Sequence, residues 1–159
     1  MLLYLLRHGT AEPRRPDLDD AMRALTDKGR DQCRRMAALL RRLELPEAVA
    51  TSPLLRARQT ANEVMRGLRL ESAPKQLNAL IPGTPALEAI QALTSAGERC
   101  VLAVGHEPLL SQVCAMLVGP GLRLDLKKGG LLEIEVESRR PPRATLLGVV
   151  RPGYLRDED

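Results

Sequence analysis

The sequence predicts a three-layer α/β fold, a mainly parallel central sheet with helices on both faces and a hairpin at its C-terminal edge. Three observations carry this. The apolar runs Leu2 to Leu6 and Cys100 to Val104 are continuous, as expected of strands covered on both faces. Each is followed by a glycine-containing turn and later by a segment of helical periodicity, the alternation that builds a parallel sheet. Leu132-Glu133-Ile134-Glu135-Val136-Glu137 instead alternates strictly, which marks a half-exposed strand toward a sheet edge. At 159 residues, with no internal repeat or long linker, the chain is expected to form one domain, 1–159.

The elements follow in order. Leu2 to Leu6 breaks at Gly9 and gives way to a polar loop with Pro13, Pro16 and the acids of Asp17 to Asp20. Thr26 can then cap a helix running to about Leu43, where Cys33, Met36, Ala37 and Leu40 fall at i, i+3, i+4 and i+7. Arg34, Arg35, Arg41 and Arg42 lie on its other face. Ala48 to Thr51 reads as a second strand. Ser52 is the expected cap of the next helix, with Pro53 at the first helical position, where a missing N–H removes no bond. That helix reaches about Leu68 on a stripe of Ala57, Ala61, Val64, Met65 and Leu68. Residues 70–85 are proline-rich and irregular, with a short strand near Gln76-Leu77, and Ala86 to Ser95 reads as a third helix. Beyond Cys100 to Val104, a fourth helix takes Leu109, Leu110, Val113, Cys114 and Leu117. A glycine-rich loop from Gly119 to Gly130 leads to the hairpin, whose turn falls around Pro141-Pro142 and whose second strand is Ala144 to Val150. The tail with Asp157-Glu158-Asp159 is expected to fray.

Composition narrows the function. Phe and Trp are absent and tyrosine occurs only as Tyr4 and Tyr154, so the core is aliphatic. The net charge of +4 favours an anionic partner, yet no element joins a basic face to aromatic stacking platforms, which argues against nucleic acid. Cys33, Cys100 and Cys114 are an odd number without C-x-x-C spacing, each in an apolar stretch, and read as reduced, buried thiols. The opening apolar run is too short for a signal-peptide core and no stretch approaches the roughly 20 apolar residues of a membrane span, so a cytoplasmic protein without membrane contact is expected. His8, His106 and Glu107 lack a third histidine and the spacings of a zinc site, so no metal is expected. Lys127-Lys128-Gly129-Gly130 lacks the phosphate-loop pattern and reads as a turn before the edge strand.

The chain has only two histidines, His8 and His106, each directly after a buried-strand run with a glycine beside it. Ser52 and Arg56 follow another strand in the same way. Ligands of open α/β sheets bind beyond the carboxyl ends of strands, so Arg7, His8, Arg56 and His106 should gather at one edge of the sheet. Two imidazoles and two guanidiniums describe a phosphate site. An imidazole with a pKa near ~6.5 is largely neutral at pH 7 and keeps a lone pair able to attack phosphorus, which makes His8 the candidate nucleophile. Arg7, Arg56 and His106 would supply donors to the nonbridging oxygens, and Arg56 also lies in a first helical turn, where the dipole favours an anion.

Leu6-Arg7-His8-Gly9, Leu25-Thr26-Asp27-Lys28-Gly29, the run Thr51-Ser52-Pro53-Leu54-Leu55-Arg56-Ala57-Arg58-Gln59-Thr60-Ala61 and Gly105-His106-Glu107-Pro108 together resemble the histidine phosphatase superfamily. The short chain most resembles its SixA-type phosphohistidine phosphatases. This resemblance implies a phosphoglycerate mutase-like fold, a covalent phosphohistidine on His8 and a phosphate pocket of Arg7, Gly9, Arg56 and His106, with no metal or cofactor. One departure stands out. Phosphoglycerate mutases and many sugar-phosphate phosphatases of the superfamily carry, between the second and third motifs, a glutamate that protonates the leaving oxygen; here Leu77-Asn78-Ala79-Leu80-Ile81-Pro82-Gly83 has no acid.

A departing alkoxide has a conjugate acid of pKa roughly 15, whereas an imidazole leaves as a weak base with a value of about 6.5. The expected substrate is therefore a phosphohistidine on a partner protein, such as a histidine phosphotransfer domain. The alternatives are a sugar or nucleotide phosphate monoester, or a non-catalytic phosphate-binding regulator. Glu12, Glu107, the acids of Asp17 to Asp20 and water all remain candidate proton donors.

Overall fold

The computed structural model describes residues 1–139 and 142–155. Among the described residues six strands form one mixed sheet in the order β3-β2-β4-β1-β5-β6. The strands are β1 (Leu2–Arg7), β2 (Ala48–Thr51), β3 (Lys75–Gln76), β4 (Cys100–Gly105), β5 (Leu131–Arg139) and β6 (Pro142–Val150). The helices are α1 (Asp27–Leu40), α2 (Leu55–Leu68), α3 (Ala86–Thr94) and α4 (Leu109–Val118). β1, β2, β3 and β4 are mutually parallel, while β5 runs antiparallel to β1 and β6 antiparallel to β5. The expected α/β architecture and C-terminal hairpin are both present. Part of the expected Pro141-Pro142 turn and the tail from residue 156 lie outside the described residues.

The continuous apolar runs have the predicted cause. Along β1, Leu3 and Leu5 enter a core with α3 and α4, whereas Tyr4 and Leu6 enter the opposite core with α1 and α2. Along β4, Val101 and Ala103 divide from Leu102 and Val104 in the same way. A strand between two helical layers has no solvent face on which to place a polar residue. The α1 stripe of Cys33, Met36, Ala37 and Leu40 and the α2 stripe of Ala57, Ala61, Val64, Met65 and Leu68 are all buried. All three cysteines are free thiols inside these cores. Among the described residues no helix is long and apolar enough to cross a membrane.

β6 starts at Pro142, two residues before the expected Ala144, and two helix boundaries also differ from expectation. Thr26 does cap α1, accepting the Gly29 N–H at 3.1 Å, but the helix ends at Leu40 because the amides of Arg42 and Leu43 turn back to carbonyls three residues earlier. Ser52 does not cap α2, and Pro53 is not its first residue. The helix starts at Leu55 with Leu54 in the cap position. Ser52 is instead held in the sheet, its N–H donating to Val104 O at 3.0 Å, which places it two residues too early to cap the helix.

Candidate active site

Sheet register brings the two histidines together. β1 and β4 pair with Arg7 opposite Gly105, so His8 and His106 leave the sheet at the same level. Their ring centroids are 5.0 Å apart and the rings are tilted by 53°, about the ~4.8 Å spacing of neighbouring strands. On the far side of β4, Thr51 pairs with Val104, which sets Ser52 beside the second histidine. Ser52 Oγ lies 2.9 Å from His106 Nε2. His8, His106 and Ser52 are all buried.

The ring of His8 is fixed by its own loop. Its Nδ1 lies 2.7 Å from the Gly9 carbonyl. A carbonyl only accepts, so Nδ1 carries the proton and Nε2 keeps the lone pair. The backbone is clamped as well: His8 N–H donates to Gly105 O at 3.0 Å, and Gly129 N–H donates to His8 O at 3.0 Å. Gly9 N–H donates to Thr60 Oγ1 at 3.0 Å, and that hydroxyl donates to Arg56 O at 2.8 Å, tying the loop to α2. The start of α1 presses directly on the same loop. A Cβ on Gly9 would stand 2.7 Å from Gly29 O, and one on Gly29 would stand 2.1 Å from Thr10 O, so both positions require glycine.

Arg56 lies in the first turn of α2 and is 3% exposed. Its Nη1 donates to Asp20 O at 2.7 Å and its Nη2 to Asp20 Oδ2 at 3.1 Å. Asp20 also pairs with Arg23 Nε at 2.9 Å and Arg14 Nε at 3.1 Å. Arg7 Nη1 donates to Leu126 O at 2.8 Å. Arg7, His8, Arg56 and His106 line one cleft of about 410 Å³, together with Arg14, Arg23 and Lys128. Gly9, expected among the phosphate contacts, is not on that wall, since its N–H is taken by Thr60.

Burial lowers the His8 pKa to about 4, with the charges of Arg56, Arg7 and Lys128 adding to the effect. Burial likewise lowers His106 to about 3, helped by His8 and Arg56. Both rings are therefore neutral at pH 7, as a nucleophilic imidazole requires.

Three acids reach the cleft, Glu12, Asp20 and Glu107. Glu12 Oε2 accepts the Ala24 N–H at 3.1 Å. Burial pushes the Asp20 carboxyl up, but the Arg56 and Arg23 guanidiniums outweigh it and hold it below the usual carboxylate range. Glu107 moves the other way, raised by burial, which outweighs the lowering effect of Ser111 and the Arg7 charge. Asp17 pairs with Arg15 at 3.6 Å on the exposed surface, and Asp19 caps the short turn at Asp20–Met22. The Leu77 to Gly83 stretch contributes only Pro82 to the cleft. Among the described residues no three His, Cys, Asp or Glu side chains assemble into a set that could hold a metal ion.

Sequence reasoning did not assign Ser52, Thr60 or Lys128 to the site. Ser52 and Thr60 stand in the same run as Arg56, while Lys128 lies in the turn before the edge strand.

Residues 3–79 match the model of the histidine phosphatase superfamily, branch 1. The phosphohistidine phosphatase SixA of Escherichia coli is 39% identical over 125 residues, 74% of either chain. An uncharacterized protein of Picosynechococcus is 35% identical over 146 residues, 88% of either chain. Among solved structures, the protein histidine phosphatase SixA complexed with tungstate superposes with a TM-score of 0.85 at 31% identity, covering 98% of this chain and all of that one. The family match and the similarity to SixA make this α/β chain a phosphatase, a hydrolase. The chain belongs to the histidine phosphatase superfamily, and within it the similarity is to the SixA-type members.

Proposed function

We propose that this phosphatase removes the phosphoryl group of a phosphohistidine on a partner protein, through a covalent phosphohistidine on His8. One observation carries the reading: the Gly9 carbonyl holds the proton of His8 on Nδ1, leaving the Nε2 lone pair in a cleft lined by Arg7, Arg56 and His106. His8 Nε2 attacks phosphorus, a new P–N bond forms and the substrate P–N bond breaks. Arg7, Arg56, His106 and Lys128 offset the charge on the phosphoryl oxygens, so the step is expected to need no metal. The leaving imidazole nitrogen takes a proton from Glu107 or from water. Water then attacks the phosphoryl group on His8, its proton goes to Glu107 or to bulk water, and the His8 P–N bond breaks to release phosphate.

The Leu77 to Gly83 stretch offers no acid to an alkoxide, which favours a phosphoramidate substrate. The phosphohistidine activity carried in the name of the Escherichia coli relative points the same way. A second reading, a small-molecule phosphomonoesterase, rests on Glu107, whose raised pKa suits a proton donor. The test is hydrolysis of an activated aryl phosphate in the presence of a chelator, followed by parallel assays on a histidine-phosphorylated carrier protein and a panel of sugar phosphates. His8→Ala should abolish turnover, and the carrier protein should be preferred. Turnover unchanged in His8→Ala would sink the mechanism, and preference for an alkyl ester would overturn the substrate.

A further inference from the structure

Ser52 lies outside the four residues assigned to chemistry, yet it is the partner of one of them. Its Oγ stands 2.9 Å from His106 Nε2 in a place without solvent, the serine being 0% and the histidine 2% exposed. A hydroxyl has one proton to donate and two lone pairs. Leu54 N–H donates to Ser52 Oγ at 3.3 Å, so one lone pair is already used. The backbone of Ser52 is also committed: its N–H goes to Val104 O and its carbonyl accepts the Thr51 hydroxyl. Among the described residues, His106 Nε2 is the acceptor within reach of the Ser52 proton.

His106 is a neutral ring, since burial and the neighbouring His8 and Arg56 oppose a second proton. A neutral imidazole has one N–H and one lone pair. If Nε2 accepts from Ser52, the proton resides on Nδ1. That atom is buried and has no hydrogen-bond partner among the described residues, on a residue that lines the cleft beside His8 and Arg56. A buried N–H left without an acceptor is destabilising, and a phosphoryl oxygen, which only accepts, would satisfy it. The other tautomer would set a lone pair against that oxygen. The proton's position therefore decides whether His106 attracts or repels the transferring group.

We propose that Ser52 is a positioning residue: its hydroxyl donates to His106 Nε2 and so fixes the tautomer that presents Nδ1–H to the phosphoryl group. This rests on reading the cleft as a phosphoryl site. The test is long-range proton–nitrogen NMR of the two histidine rings in resting wild type and Ser52→Ala, paired with inhibition by orthovanadate. Wild type should show His106 protonated on Nδ1. Ser52→Ala should shift it toward Nε2 protonation and weaken vanadate roughly tenfold, the scale of one lost buried hydrogen bond. Ser52→Cys, with a weaker donor of similar size, should fall between and serves if the alanine variant does not fold. Wild type protonated on Nε2, or a tautomer unchanged in both variants, overturns the proposal. Because the spectrum is read without substrate, that outcome is distinct from failure of the phosphatase reading, which His8→Ala decides.

Discussion

Arg56 is gripped by Asp20 at two points, the backbone carbonyl at 2.7 Å and the carboxylate at 3.1 Å, although 36 residues separate them. Asp20 is thus a fixed anion beside a proposed anion site. Asp20→Asn keeps the carbonyl contact and removes the charge. Product phosphate should then inhibit more strongly, by about 3- to 10-fold at low salt, with a smaller difference at high salt. Weaker inhibition would mean that aligning Arg56 matters more than the charge beside it.

Acid should destabilise the fold through its histidines. Both have pKa values far below the ordinary 6.5, about 4 for His8 and about 3 for His106, chiefly from burial. Between 6.5 and those values the unfolded chain binds protons that the folded chain refuses, so stability falls as pH falls and rises as pH rises. From about pH 7.5 to about pH 5 the loss should be on the order of 2–4 kcal/mol. Urea unfolding at the two pH values checks it, and His106→Asn should flatten the difference. The acid limb of kcat/KM should likewise sit nearer pH 4 than pH 6.5.

Glu107 is a cleft acid whose burial favours the protonated form. Glu107→Gln should lower turnover of alkyl phosphomonoesters by about 10²-fold or more, the scale of a lost general acid, while slowing a phosphoramidate far less. A leaving-group series reads this directly. Equal losses on both substrates would remove Glu107 as the donor.

The Gly9 loop depends on close backbone contact. Gly29→Ala would force a methyl to 2.1 Å from Thr10 O, and the start of α1 would have to move at a cost of roughly 2–4 kcal/mol. A thermal melt should show a large drop in Tm, with activity falling at temperatures where the variant remains folded.

Thr60→Val keeps the shape and leaves Gly9 N–H without an acceptor, at a cost of about 1–3 kcal/mol. Thr60→Ser should restore both stability and turnover. A valine variant as stable as wild type would show that the loop finds another acceptor.

The sheet was legible because β1 and β4 are apolar without interruption, and the fourfold set was legible because Arg7, His8 and His106 adjoin those runs while Arg56 follows β2. In the sequence Gly29 is only one letter of a motif; its need for glycine arises from contact with Thr10, nineteen positions earlier in the chain. The Asp20 partner of Arg56 escaped notice because no acid stands three or four residues from Arg56. Ser52 was misread for a related reason. The chemistry that makes serine a good helix cap also lets it bond an imidazole, and only the pairing of β2 with β4 decides between them.

Arg56 and Thr60 sit one turn apart on α2, joined by the Thr60 hydroxyl, which also receives the Gly9 N–H. The cation proposed to receive the phosphoryl group and the loop of the proposed nucleophile are therefore both tied to the same rod. A shift of that rod is passed through Thr60 to the loop, which reduces the change in the gap between them. Phosphoryl transfer is sensitive to misplacements of about 1 Å. A mounting of this kind damps relative motion of the two without requiring the helix itself to be still.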